Sequence, residues 1–236
     1  MKRTIRVFSL LLAAVMLLSA QALATEPAQA VTDVEHSGQY LCGLPRVEPA
    51  QAFTDVTKQD YFYDAVNWAV EKEITSGVSK DVFAPNRDCT RADFVTFLWR
   101  ATGKPVVNYA MNFSDVKESS YYAEAVRWAA SLGIVTGLSK NTFGAANAVT
   151  REQAATMLWR FAKQQGFDTT QGGLAIREYN DYDSLSEYAR EAMAWAVNTE
   201  ILKGANNRLL PDAACTRAQL CLLYTSPSPR DRQKSR

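Results

Sequence analysis

Between Tyr61 and Glu73, Phe62, Ala65, Val66, Ala69 and Val70 fall at helical spacing, with Asp64, Glu71 and Lys72 mostly on the other side. A stripe of that period predicts an amphipathic helix over roughly 61–73. Tyr122, Ala125, Val126 and Ala129 repeat the stripe. A second kind of stripe, Phe94, Phe97 and Leu98, follows Thr90-Arg91, and Ala154, Met157, Leu158 and Phe161 follow Thr150-Arg151. Thr90, Thr150 and Thr216 suit helix N-caps. Asp93, Gln153 and Gln219 stand three residues on, which predicts Thr-x-x-Gln capping boxes at the last two and a weaker acidic version at the first. Between the two helices, Val78 to Pro85 reads as a loop, with Phe83, Phe143 and Leu209 anchoring it and its counterparts to a core. Gly77, Gly137 and Gly204 lie just past the first helices, where a positive φ is often required.

The helix-loop-helix pattern occurs three times. Phe53, Asp55, Val56, Trp68, Ile74, Gly77, Phe83, Thr90-Arg91 and Leu98-Trp99-Arg100 return 60 residues later as Phe113, Asp115, Val116, Trp128, Ile134, Gly137, Phe143, Thr150-Arg151 and Leu158-Trp159-Arg160. A third copy runs through Tyr179, Asp181, Tyr182, Trp195, Ile201, Gly204, Leu209 and Thr216-Arg217, after a longer Gly/Gln-rich linker, Gln164 to Ile176. Repetition at this length is the signature of units packed on one another. Units this small are marginal alone, so the three are expected to share one core. Repetition also multiplies any site, which points to a binding module.

The two ends read differently from the middle. Lys2, Arg3 and Arg6 precede an apolar run from Val7 to Ala20, and Ala22-Leu23-Ala24 fits a small-x-small cleavage site. Residues 1–24 are therefore expected to be a signal peptide, with a mature start at Thr25 and a linker over 25–52. No later stretch approaches the ~20 apolar residues of a membrane span. At the other end, 221–236 resembles a translated sequencing adapter. It is left out of the expected fold, which makes the third repeat, 179–220, a truncated one beside 53–104 and 113–165.

The chain carries a formal net charge of +1. The first 24 residues hold three positive charges and the last sixteen a net three more, which leaves −5 for 25–220. A mildly acidic chain argues against a nucleic-acid partner. Cys89 and Cys215 directly precede Thr-Arg, where the second repeat has Val149. They read as small buried hydrophobes, with a Cys42–Cys89 bridge as the alternative. The single histidine, His36, lies in the linker, and no Cys-x-x-Cys, Gly-rich phosphate loop or His-Glu-x-x-His occurs. Catalysis, a metal and a cofactor are therefore not expected.

The ordered set Phe-x-Asp-Val, aromatic helix, Gly turn, Phe-x-Pro and Thr-Arg-Ala-acid resembles the S-layer homology domain, over about Phe53 to Leu220 in three copies. The resemblance implies an all-α fold of three helix-loop-helix repeats in a pseudo-threefold arrangement around a shared helical core. It implies non-covalent anchoring of an exported protein to the cell wall or surface by secondary cell-wall polysaccharide, often carrying pyruvate ketals, bound in grooves between repeats. It places Arg91, Arg151 and Arg217 in those grooves. A guanidinium near a helix N-terminus can fork onto a pyruvyl carboxylate; the alternative is a surface Arg paired with Asp55 or Asp115. Tyr61 and Tyr121 are candidates for the groove mouth, with Tyr188 at the matching place. Gly77 and Gly137 could let a sugar approach the backbone, although turn geometry alone explains them. Trp68, Trp128 and Trp195 read as core rather than stacking platforms. Asp55, Asp115 and Asp181 read as capping or turn residues. Repeat 3 departs most from the pattern, so grooves built on repeats 1 and 2 are expected to rank above it. A longer exported enzyme or a structural surface-layer subunit remains the alternative to a stand-alone anchor, and self-assembly is left open.

Overall fold

A computed structural model describes residues 53–170 and 172–225, together with a two-residue antiparallel ladder in which β1 (Tyr40–Leu41) pairs with β2 (Leu44–Pro45). The expected signal peptide and Cys42 lie outside the described residues. Among the described residues six α-helices make an all-α fold: α1 Tyr63–Glu71, α2 Arg91–Ala101, α3 Ala123–Ser131, α4 Arg151–Gln164, α5 Arg190–Asn198 and α6 Arg217–Thr225. Repeats 1, 2 and 3 contribute α1–α2, α3–α4 and α5–α6. Among the described residues no helix is long and apolar enough to cross a membrane.

Each second helix packs against the first helix of another repeat: α2 on α3, α4 on α5, and α6 back on α1. The backbone follows the same circuit. Val149 N–H donates to the Cys89 carbonyl at 2.9 Å, Cys215 N–H to Val149 at 2.9 Å, and Cys89 N–H to Cys215 at 2.8 Å. All three residues are buried. The first-helix stripes supply the shared core with Ala65, Val66, Ala69, Ala125, Val126 and Ala129, and Trp128 and Trp195 are buried with them, Trp68 only partly. Cys89 and Cys215 are free and buried, Cys221 is buried with them, and burial pushes the Cys215 and Cys221 thiols up to about 11 and about 12.

Three features differ from the sequence expectation. The first helices are shorter by about a turn, because Tyr61-Phe62 and Tyr121-Tyr122 form turns ahead of α1 and α3. Their C-terminal positive φ falls on Glu73 (55°), Gly133 (68°) and Glu200 (57°), four residues before the glycines expected to carry it. Gly77, Gly137 and Gly204 serve close approach instead. A Cβ on Gly77 would lie 2.6 Å from the Phe53 ring, and one on Gly204 2.2 Å from Tyr179. Finally, α6 continues through Cys221 to Thr225, and Cys221 and Leu223 are buried, so these residues belong to the core from which the sequence reading left them out.

Candidate functional site

The Thr-Arg pairs sit at the seams between repeats. Thr90 caps α2 through a complete box: Asp93 N–H donates to Thr90 Oγ1 at 3.1 Å and Thr90 N–H to Asp93 Oδ2 at 3.4 Å. Thr216 and Gln219 exchange the same two bonds at 3.3 and 3.1 Å. In repeat 2 only one half forms. Gln153 N–H donates to Thr150 Oγ1 at 3.3 Å, but Gln153 Oε1 accepts from Arg91 Nη1 at 3.1 Å instead of returning to Thr150. The acidic box expected to be weakest is thus complete, and the Gln of repeat 2 is diverted to an arginine.

That arginine reaches out of its own repeat. Arg91 is 3% exposed, and it also donates from Nε to the Phe143 carbonyl at 3.1 Å and from Nη2 to the Thr136 carbonyl at 3.0 Å. Arg151 is half-buried and donates to Leu209 and Lys203 carbonyls, both at 2.7 Å. Arg217, buried, closes the circuit onto Phe83 at 3.0 Å and Ser76 at 2.6 Å. Two of the guanidinium groups also stand over the ring of the phenylalanine whose carbonyl they bind: Arg91 over Phe143 at 4.9 Å and Arg217 over Phe83 at 4.6 Å. Burial lowers the pKa of Arg91 and Arg151 from the usual guanidinium value. No direct hydrogen bond joins these arginines to Asp55 or Asp115 among the described residues.

The aspartates do another job. Asp55 accepts from Phe83 and Ala84 N–H at 2.9 and 2.7 Å, Asp115 from Phe143 and Gly144 at 2.7 Å each, and Asp181 from Leu209 and Leu210 at 2.7 and 2.8 Å. Each carboxylate therefore clamps the loop whose carbonyl takes the arginine of the preceding repeat, rather than capping a neighbouring helix. For Asp115 and Asp181, burial raises the pKa, but the backbone N–H bonds outweigh it and leave it below the ordinary value.

The residues singled out in the sequence come together across seams and not within repeats. The carbonyls that accept from Arg Nη2 belong to Thr136, Lys203 and Ser76, the residues immediately before Gly137, Gly204 and Gly77. Seam 1/2 thus gathers Arg91, Gly137 and Tyr121, whose hydroxyl donates to Asp93 Oδ1 at 2.5 Å. Seam 2/3 gathers Arg151, Gly204 and Tyr188, whose hydroxyl donates to Glu152 Oε1 at 2.8 Å. Seam 3/1 gathers Arg217 and Gly77; Tyr61, at the place in repeat 1 that matches Tyr121 and Tyr188, is 72% exposed. All three tyrosines are exposed. Burial, and then the carboxylate bond, push the Tyr121 and Tyr188 hydroxyls well above the usual phenol range.

Glu152 stood outside the candidate site residues. It is 4% exposed, and besides Tyr188 its carboxylate accepts from Ser186 N–H at 3.1 Å and Ser186 Oγ at 2.8 Å. The available signal was an acid at a position where the other repeats carry Ala92 and Ala218. Among the described residues no group of His, Cys, Asp and Glu side chains could hold a metal.

A family model described as the S-layer homology domain matches residues 52–95, 112–155 and 178–221. Relatives include an amylopullulanase of Thermoanaerobacterium thermosulfurigenes, 28% identical over 69% of this chain and 9% of its own length. An endoglucanase of Bacillus sp. (strain KSM-635) is 30% identical over 63% of this chain and 16% of its own length. The surface-layer 125 kDa protein of Lysinibacillus sphaericus is 27% identical over 70% and 14%. The chain thus spans less than a fifth of the length of these curated relatives. Each of the three matched segments holds the seam residues of one repeat, from the loop-clamping aspartate to the capped Thr-Arg turn, and together the segments cover more than half of the chain, which belongs to the S-layer homology domain family.

Proposed function

We propose that the three repeats anchor an exported protein to the bacterial cell wall by binding secondary cell-wall polysaccharide at the seams between repeats. The observation that carries this reading is that each seam fixes a buried or half-buried arginine against the loop of the next repeat, at the start of a second helix, with solvent-exposed tyrosines at the corresponding places of the three repeats. An acidic sugar such as a pyruvate ketal would find positive charge from Arg91, Arg151 and Arg217, reinforced by the helix dipole. The rings of Tyr61 and Tyr121 would pack on the sugar face, and the missing Cβ at Gly77 and Gly137 would leave backbone within reach. The cyclic packing of α2 on α3, α4 on α5 and α6 on α1 supports a pseudo-threefold arrangement of the grooves. The seams hold no nucleophile–base pair, which favours binding over catalysis.

Sedimentation with purified cell walls tests the proposal. The protein is expected in the pellet with intact walls and in the supernatant once the wall polysaccharide has been chemically stripped. Equal binding to stripped walls would make peptidoglycan the ligand and overturn the polysaccharide reading. Joint Tyr61→Ala and Tyr121→Ala replacement is expected to weaken pelleting without unfolding, because both side chains are mostly outside the core.

The short share of each relative that the chain covers, and the enzymes among those relatives, favour a second reading in which this is the anchor of a longer exported enzyme. The surface-layer relative favours a structural subunit in the same way.

A further inference from the structure

The hairpin that follows Gly77, Gly137 or Gly204 carries apolar bulk at two places, and the bulk moves between them from repeat to repeat. The hairpins open alike: Val78 N–H donates to the Val82 carbonyl at 2.8 Å, Leu138 N–H to Thr142 at 2.8 Å, and Ala205 N–H to Arg208 at 2.9 Å. Each leads to a residue of positive φ, Ala84 at 58°, Gly144 at 77° and Leu210 at 55°, whose N–H is held by the clamping aspartate. Repeat 2 combines Leu138 with Gly144, repeat 1 Val78 with Ala84, and repeat 3 Ala205 with Leu210. At seam 1/2 the geometry accounts for the exchange. A Cβ on Gly144 would fall 2.3 Å from Leu138 Cδ1 and 3.7 Å from Arg91 Nε. The Leu138 side chain therefore fills the space over Gly144, on the side of the guanidinium, yet Leu138 is 50% exposed. Arg91 has three N–H groups engaged, with Phe143, Gln153 and Thr136, and its guanidinium carries others. Seam 1/2 thus offers a cation and a half-exposed isobutyl group side by side.

We infer that Leu138 is a specificity-determining residue of seam 1/2, selecting an acidic saccharide whose carboxylate and a methyl group share one carbon. This rests on the polysaccharide reading above and deepens it. A phosphate, a sulfate or a uronate brings charge without an apolar partner, and the exposed face of Leu138 adds nothing to its binding. A ketal carboxylate brings a methyl group with the charge. When its carboxylate lies towards Arg91, the methyl can cover the Leu138 side chain and take apolar surface of both out of water. The gain belongs to the methyl alone, so it separates acids of equal charge.

Two probes isolate the methyl: the dimethyl ketal of pyruvate, and the dimethyl acetal of glyoxylate, which keeps the carboxylate and lacks the methyl. Each is titrated into the full chain while the backbone amides of Gly137 and Gly144 are followed by NMR, with Gly77 of another seam as the internal reference. The ketal is expected to bind at Gly137 and Gly144 about fourfold more tightly than the acetal, which is ~0.8 kcal/mol for one covered methyl. Leu138→Ala, whose fold is checked by circular dichroism, is expected to bring the two affinities together there and to leave the Gly77 response unchanged. Equal affinities in the unaltered chain, an equal loss of both probes in Leu138→Ala, or no response to either probe at Gly137 and Gly144 would overturn the inference. Pelleting with cell walls judges the anchoring reading separately. If the chain pellets only with polysaccharide-bearing walls but the probes are not told apart, anchoring stands and the role of Leu138 falls. If pelleting ignores the polysaccharide, both fall.

Discussion

Arg91 commits three of its donors to repeat 2, two of them to backbone carbonyls, so truncating it strands buried acceptors. Arg91→Ala is expected to destabilise the fold by about 2–4 kcal/mol in urea unfolding. Arg91→Lys should recover only part of this, since an ammonium cannot reproduce the fork to Phe143, Thr136 and Gln153. Glu73 and Glu200 hold positive φ where Gly133 does so without strain. Glu73→Gly and Glu200→Gly are each expected to add about 1 kcal/mol, read as a rise in Tm. Asp115 and Asp181 have folded-state pKa values below their unfolded ones. Their clamps therefore contribute stability that is fully present above about pH 4 and is lost as pH falls through the folded-state values. Asp115→Asn and Asp181→Asn should flatten the acid limb of a stability–pH curve; an unchanged limb would contradict the clamp. Residue chemistry was readable in the sequence where its partner is local, as with Thr90 and Asp93. It was not readable where the partner lies in another repeat, as with Glu152 and Tyr188, because spacing along the chain says nothing about contacts across a seam.

At the scale of elements, the 3.6-residue stripes located the four helices of repeats 1 and 2, the repeat pattern implied α5, and the Thr-Arg pairs fixed the starts of α2, α4 and α6. Helix ends were less legible. Four extra residues separate the positive-φ positions from the glycines, since Gly77 and Gly137 answer to the rings of Phe53 and Phe113, which pack beneath them only in the folded loop. The caps differ in a way that can be measured. Thr90 sits in a reciprocal box, whereas Thr150 has lost the return bond to Arg91. Thr90→Ala is expected to cost about 1 kcal/mol, and Thr150→Ala less, in parallel thermal melts.

For the whole molecule, the apolar stripes called for a shared core but were silent on which repeat packs on which, because all three first helices offer similar faces. The circuit α2 on α3, α4 on α5 and α6 on α1 resolves that order and ties the two ends of the repeat region together. Loosening α6 should therefore be felt in α1. Arg217→Ala is expected to speed amide hydrogen exchange in 63–71 more than in α3; equal exchange in both would show that closure adds nothing to repeat 1. The hydrogen-bonded triangle of Cys89, Val149 and Cys215 carries one more consequence. Each member gives its N–H to one neighbour and its carbonyl to the other, so every group within the triangle is engaged. A solenoid grows by adding units to an open end, but this assembly counts to three and stops. A fourth copy spliced after α6 would find its place at the hub already filled, and would hang from the ring as a separate, marginal unit until two further copies allowed it to close a ring of its own.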